Sequence, residues 1–335
     1  MSISRNGSDT PAAHASDGKI EEWLYTYEIN ISSSSSSLYA NGHQQVELEI
    51  KLSSRNEQVI TDEQYESIQL YTKSVNGTYN LLATDLGPAT RWAQQKSQDE
   101  RFDYYPGDLR KISIKHENKE HRETDRSKKL YITTNSTGGS TLTIGAGITF
   151  APGTVYYSDE TPFHSSITLT AQTPPRYDLP EDYTFVSTRE DIIPGRFINL
   201  YRLTLRHLPL VTAECTPQGM IKWERNAVGE SRATHVGWVG IGQVNVRYES
   251  EIVQSFSDAF KERLYQSLPS PDSNRVVIVM QGDNGIFFDN NIATKFKGPM
   301  TVKGLDKYGN LHNLEITFSQ NSREELSIQP LSKSV

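Results

Sequence analysis

The stretch from Leu38 to Leu52 constrains the fold more than any other part of this chain. Asn41-Gly42 is a turn pair, because both residues tolerate positive φ. After it Val46, Leu48, Ile50 and Leu52 alternate with Glu47, Glu49 and Lys51. A period of two, one face dry and one wet, predicts a half-buried antiparallel strand. The alternation returns at Trp23, Tyr25, Tyr27, Ile29 and Ile31, then at Ile167 and Leu169, and again in Leu314–Phe318. Turn signals at Asn76-Gly77, Thr137-Gly138-Gly139, Pro152-Gly153 and Tyr308-Gly309-Asn310 separate the runs. Short strands at this spacing predict a mainly β chain built as two tandem antiparallel β-sandwich domains.

Composition supports one-sided sheets. Only 35% of the 335 residues are hydrophobic, too few for a doubly covered parallel sheet throughout. The formal net charge is −7 with both signs mixed along the chain, which gives no footprint for nucleic acid. Cys215 is the single cysteine, so no internal disulfide forms and the thiol reads as a small buried hydrophobe. Met1–Lys19 has no apolar run, so no secretory signal peptide is expected, and no stretch approaches the roughly 20 apolar residues of a membrane span. Cytoplasmic synthesis is the expectation, with a leaderless route, lysis or a larger particle if the protein acts outside the cell.

Residues 1–19 read as a mobile tail, 20–174 as the first sandwich and 175–335 as the second. Thr173–Pro180 holds three prolines in eight residues and reads as a stiff extended linker. Ser32–Ser37 reads as a loop or the plain start of an edge strand. Thr61 followed by Gln64 has capping-box spacing and predicts one helical turn. Ile68, Leu70 and Val75 then resume strand character, residues 88–111 are ambiguous, and Lys111–Lys115 is a short strand. Lys115–Lys129 is a mixed-charge run that reads as a solvated loop. Leu130–Asn135 and Ser140–Phe150 read as a hairpin. In the second half, Tyr183–Val186, Phe197–Leu210, the glycine-punctuated His235–Tyr248, the apolar run Arg275–Gln281 and Leu326–Ile328 read as strands. Ile252, Phe256, Phe260 and Leu264 recur every four residues, with Val253 beside them, and predict one amphipathic helix near 250–268, stopped by Pro269.

Ala40-Asn41-Gly42 leading into Val46–Leu52 resembles the first strand of the bacterial immunoglobulin-like modules of intimin and invasin adhesins. Asp306-Lys307-Tyr308-Gly309-Asn310 followed by Leu314–Phe318 resembles the turn and strand those modules place between sheets. The likeness covers about 30 residues of this chain. It implies that the sandwiches are immunoglobulin-like and that the role is extracellular binding, and it implies no site residue. The chain departs from that family in its longer domains and its helix near 250–268.

The chemistry-bearing motifs have structural explanations. His116 and His121 stand five apart, about 140° around a helix, whereas two zinc-binding imidazoles on one helix face need a spacing of four. Gly229-Glu-Ser231-Arg-Ala233 approximates a nucleophile elbow but lacks the strand-to-helix context that exposes such a serine. Asp283-Asn-Gly and Asp289-Asn-Asn291 offer oxygen ligands for Ca²⁺, and equally make ordinary turns. Asn30, Asn76 and Asn135 head glycosylation sequons that matter only on a eukaryotic secretory route. No catalytic or metal-binding residue and no cofactor is assigned, and the binding residues are unknown.

The leading expectation is a non-enzymatic recognition or structural protein, a component of a bacterial surface, particle or toxin assembly, with a protein or glycan partner. Tyrosines, 17 of them, offer stacking platforms, and oligomerisation and membrane contact stay open. The Ser/Thr-rich, charge-poor stretch 130–171 supports an alternative, a β-pore-forming or insecticidal-type toxin that inserts it as a hairpin. A hydrolase on a sandwich scaffold is the third reading.

Overall fold

The computed structural model describes residues 13–14, 18–55, 58–107, 125–193, 195–225, 231–254, 261–284 and 289–331. Among the described residues the chain is mainly β, with several antiparallel sheets and only short helices. It divides into two compact units, Met1–Pro174 and Pro175–Val335.

In the first unit, β2 (Leu24–Ile31), β4 (Val46–Ser54), β8 (Arg126–Thr134) and β7 (Trp92–Gln95) form a four-stranded antiparallel sheet in that order. Its inner face pairs Ile29 with Ile50, Ile31 with Leu48, Leu48 with Leu130 and Val46 with Ile132. The facing sheet is centred on β9 (Thr141–Ala151), which pairs with β10 (Thr154–Tyr157), β11 (Ile167–Gln172) and β5 (Gln69–Lys73). Beyond these lie β6 (Tyr79–Leu81) on β5, and two parallel edge strands, β3 (Ser37–Tyr39) on β11 and β1 (Ala13–His14) on β10. Ile144, Ala146, Ile148, Leu169 and Leu70 meet the first sheet in one buried cluster. Each of these Ile and Leu side chains contributes about 1.5–3 kcal/mol when fully buried. On the outer face, Gly147 makes room for two rings: a Cβ there would lie 2.6 Å from the Tyr71 ring and 3.2 Å from that of Tyr157. Tyr157 in turn stacks on Tyr79 with centroids 3.6 Å apart.

Several expectations for this unit change. Trp23 ends the helix α1 (Gly18–Trp23), and a register shift between Leu24 and Thr26 turns Tyr25 outward, 55% exposed, while Leu24 goes in. Within the expected tail, Ala13–His14 is a strand and Gly18–Lys19 begin helix α1; the rest of the tail lies outside the described residues. The hairpin expected from Leu130 to Phe150 is not one. β8 and β9 belong to different sheets, and the turn at Gly139 (φ 87°) carries the chain across the sandwich. Likewise Gly42 (φ 76°) links β3 in one sheet to β4 in the other. Asn76-Gly77 closes the β5–β6 hairpin, and Val75 is fully exposed in that turn. Thr61 caps α2 (Asp62–Glu66) through both hydrogen bonds of a capping box. Lys111–Lys115 lies outside the described residues. At the end of the charged run, Lys128 is buried and donates to the carbonyls of Tyr65 (2.9 Å) and Glu66 (3.1 Å).

In the second unit a five-stranded antiparallel sheet runs β12 (Tyr183–Ile193), β13 (Arg196–Leu205), β17 (Val276–Asn284), β16 (Ser231–Val239), β15 (Met220–Arg225). It packs on a four-stranded sheet, β14 (Leu210–Thr216), β18 (Met300–Asp306), β19 (Leu311–Phe318), β20 (Leu326–Pro330). Strand β17 opens with five consecutive apolar residues, Val276–Met280, for a physical reason. Val276, Ile278 and Met280 face the sandwich core, and Val277 and Val279 join a separate cluster on the opposite face with Leu268. Cys215 lies buried in the sandwich core, where burial pushes its thiol up. Gly237 lets the segment after β16 fold back, since a Cβ there would meet the Arg247 carbonyl at 2.6 Å.

The helix expected over 250–268 does not reach 268. Helix α3 covers Ser250–Gln254, residues 255–260 lie outside the described residues, and residues 266–268 are extended against 244–246 through Val246 N–H to Gln266 O (3.0 Å) and Leu268 N–H to Val244 O (2.8 Å). Ile252 and Leu264 still share a cluster, with Ile221, Ala233, Ile292 and Phe296. A second helix, α4 (Asn290–Lys295), also packs there. The Asp306–Asn310 turn, expected between sheets, joins β18 to β19 within one sheet, with Gly309 at φ 79°. The expected stiff linker is docked instead: Tyr177 and Leu179 pack on the core of this unit.

Candidate functional site

The first unit carries a cleft of about 740 Å³. Strand alternation points Gln94 of β7 inward beside Trp92, at a position where an apolar residue would ordinarily stand. Its amide is satisfied by main chain, accepting from Leu70 N (2.9 Å) and donating to Leu82 O (2.6 Å). Gln45, also buried, donates to Gln95 Oε1 and accepts from Asp99 N (2.8 Å), which fixes the loop after β7. Gln44 donates to Asp103 O (3.1 Å) further along the same loop. The cleft left between this loop and the ends of β5 and β6 has Ile68, Leu130 and Gln94 on its floor. Gln69, Thr84, Gln95, Ser97 and Gln98 line its walls, with Asp85, Lys96, Asp99 and Glu100 around them. Arg101 clamps Asp99 with two bonds of 2.8 and 2.6 Å and holds its carboxyl below the usual range. The arrangement offers amide donors and acceptors over an apolar floor, with no aromatic ring among the described residues of its lining.

The serine run is structural. Ser32 and Ser33 donate their N–H groups to Glu47 O, and Ser34 Oγ donates to Tyr105 O (2.9 Å). Glu47 accepts from Ser32 Oγ and Tyr104 OH, each at 2.8 Å, and from Lys129 Nζ at 2.9 Å. Burial alone would raise the Glu47 carboxyl; these donors outweigh it and hold it low.

In the second unit Asp306, 0% exposed, organises the turn that the sequence singled out. Its Oδ1 accepts from Tyr308 N (2.8 Å) and Asn310 N (3.0 Å), and its Oδ2 accepts from Tyr177 OH (2.7 Å) and Asn310 Nδ2 (3.1 Å). His312 Nε2 stands 3.4 Å from the same oxygen, while Tyr183 OH meets His312 Nδ1 at 2.8 Å. Burial pushes the Asp306 carboxyl up, and the bonds from His312, Tyr177 and the backbone together bring it below its ordinary value. An Asp–His pair has the parts of a general base. Here the imidazole is 3% exposed with tyrosines against it, and the network holds Tyr177 of the expected linker in place.

The other sequence candidates fall as follows. His116 and His121 lie outside the described residues. Ser231 opens strand β16, paired with Arg225, so no helix follows it as an elbow requires. Asp283 is buried with Arg263 3.3 Å away, and Asp289 is the N-cap of α4, accepting from Asn291 N (2.9 Å) and Ile292 N (3.1 Å). Among the described residues, no group of three His, Cys, Asp or Glu side chains is placed to hold a metal ion. Asn76 sits in the β5–β6 turn, accepting from Thr78 N, and Asn30 is exposed on β2. Ile144, in the stretch 130–171, is buried against the first sheet and pairs with Ile167. No helix among the described residues is long and apolar enough to cross a membrane. Gln44, Gln45 and Gln94 were missed. Their one signal is a glutamine pair at the edge of an apolar run, at 44–45 and again at 94–95.

No family model matches the chain, and no curated protein matches it. Among solved structures the chain is similar to the Yersinia pseudotuberculosis adhesin InvE, at 10% sequence identity and a TM-score of 0.21. The likeness covers 91% of this chain and 63% of that chain, so this chain spans less than two thirds of its neighbour. At that distance no residue's role carries across.

Proposed function

We propose that this is a non-catalytic recognition protein whose amide-walled cleft in the first unit binds an extended segment of a partner polypeptide. The observation that carries the reading is the cleft itself, about 740 Å³ over Ile68 and Leu130. That volume is in the range of ordinary ligand pockets and admits a few residues of chain. Side-chain amides bond main-chain groups well, as Gln94 already does with Leu70 and Leu82. The apolar floor suits one hydrophobic side chain, and the absence of a ring among the described lining residues favours a peptide over a sugar, which would stack. Asp85 and Glu100 favour a neutral or basic segment.

The test is selection from a random octapeptide library on the full-length protein, followed by fluorescence anisotropy. The expected result is a peptide bound at micromolar Kd, weakened about tenfold, or about 1.4 kcal/mol, by Gln69→Ala combined with Gln98→Ala. Absence of any peptide binding tighter than about 1 mM, or binding indifferent to those changes, overturns the reading.

A further inference from the structure

The second unit carries a groove of different chemistry. It crosses the outer edge of β15, the last strand of the five-stranded sheet, and has a volume of about 440 Å³. One wall is the segment after α4, tied to β15 by Ile221 N–H donating to Phe296 O (2.8 Å). The other is the turn after β19, held by Lys222 Nζ, which donates to the carbonyls of Ser319 (2.9 Å), Ser322 (3.2 Å) and Gln320 (3.3 Å). The Lys222 ammonium also sits 5.9 Å above the Phe318 ring. Trp223 and Phe318 are half-buried and supply aromatic surface, while Ala293, Gly298 and Pro299 keep the wall low.

Two charges decide what fits. Lys222 and Lys297 line the groove, and among the described residues no Asp or Glu does, although the chain as a whole carries −7. Among the described residues the Lys222 ammonium meets neutral carbonyl oxygens and forms no ion pair, so its positive charge remains effective in the groove. Lys297 is exposed. Aromatic faces bind the C–H faces of sugar rings, and hydroxyl and amide groups such as Thr317, Ser319 and Gln320 match sugar hydroxyls. We infer that this groove binds an acidic saccharide, with ring faces on Trp223 and Phe318 and the carboxylate or sulfate drawn to Lys222 and Lys297. The site is separate from the peptide cleft of the first unit, and neither depends on the other.

The experiment is calorimetric titration of the full-length protein with tetragalacturonate, a heparin-derived tetrasaccharide, neutral maltotetraose and a Glu-rich decapeptide. At least one acidic saccharide should bind at 50 mM salt, at least about tenfold tighter than maltotetraose and than the decapeptide. Its affinity should fall about tenfold or more by 500 mM salt, as exposed charges are screened. Lys297→Glu, on an exposed side chain, should weaken it about tenfold or more with an unchanged melting temperature. Gln69→Ala with Gln98→Ala should leave it unaltered, which separates this site from the peptide cleft. Failure of both acidic saccharides, indifference to Lys297→Glu, or tighter binding of the decapeptide overturns the assignment; the last outcome would make this a site for acidic polypeptide.

Discussion

Asp306 shows how one side chain fixes a local structure. Its carboxylate has a buried ring of donors, so truncation strands Tyr177, Asn310 and two backbone N–H groups at once. Asp306→Ala should cost about 3–5 kcal/mol in a urea melt, the scale of a broken buried charged network, and Asp306→Asn should cost less. Because the folded carboxyl lies below its ordinary value, its contribution is fully present above about pH 4 and is lost as pH falls through the folded value. A second acid window belongs to His235 on β16. Burial pushes this imidazole down to about 3, against a hydrogen bond with the Gln281 backbone that acts the other way. The unfolded imidazole takes up a proton below about pH 6.5 and the folded one does not, so stability should fall at up to roughly 1.4 kcal/mol per pH unit from there towards 3. Denaturant melts between pH 7 and 4.5 should show this slope, and His235→Gln should flatten it. A variant with the slope of the parent would exclude His235 as the source. Neither group was legible as a titrating residue, because burial of a polar side chain depends on what the opposite sheet brings to it. The glutamines of the cleft escaped for the same reason: Gln94 looks like an ordinary polar residue until Leu70 and Leu82 are seen across from it.

Elements were easier to read than their partners. The alternation of Val46–Leu52 and the cap at Thr61 are local properties, and both are present as expected. Sheet membership is not local. The Gly138-Gly139 turn closes a hairpin or crosses a sandwich with the same residues, and here it crosses. The amphipathic period from Ile252 to Leu264 is real in that both residues join one cluster, yet helix and irregular chain can deliver the same pair to it. Strand β9 gives the sharpest test. Its Ile144 is 1% exposed in the core of the first unit. Ile144→Asp should therefore destabilise that unit by more than about 4 kcal/mol, read as loss of its melting transition. A variant that melts like the parent and changes only dye release from liposomes would instead favour a membrane-inserting 130–171.

At the scale of the molecule, each unit encloses its own core, between β2–β4–β8–β7 and the β9 sheet in one and between the β17 and β18 sheets in the other. Residues 175–335 expressed alone should fold, with a β-type circular dichroism spectrum and a cooperative melt; a flat melt would show that the unit depends on the rest of the chain. The period-two pattern made the sandwich class visible because a solvated face must be polar at every second residue. The two proposed binding surfaces were not visible, because the cleft and the groove arise where loops from distant strands meet. Hydrogen exchange of the full-length protein with and without its selected octapeptide, with the peptide weighed afterwards by mass spectrometry, tests the central claim most directly. Added protection at Thr84–Asp85 and Gln94–Glu100 with the peptide recovered intact is the predicted result. Protection confined to other segments, or a peptide returned cleaved or modified, would contradict it.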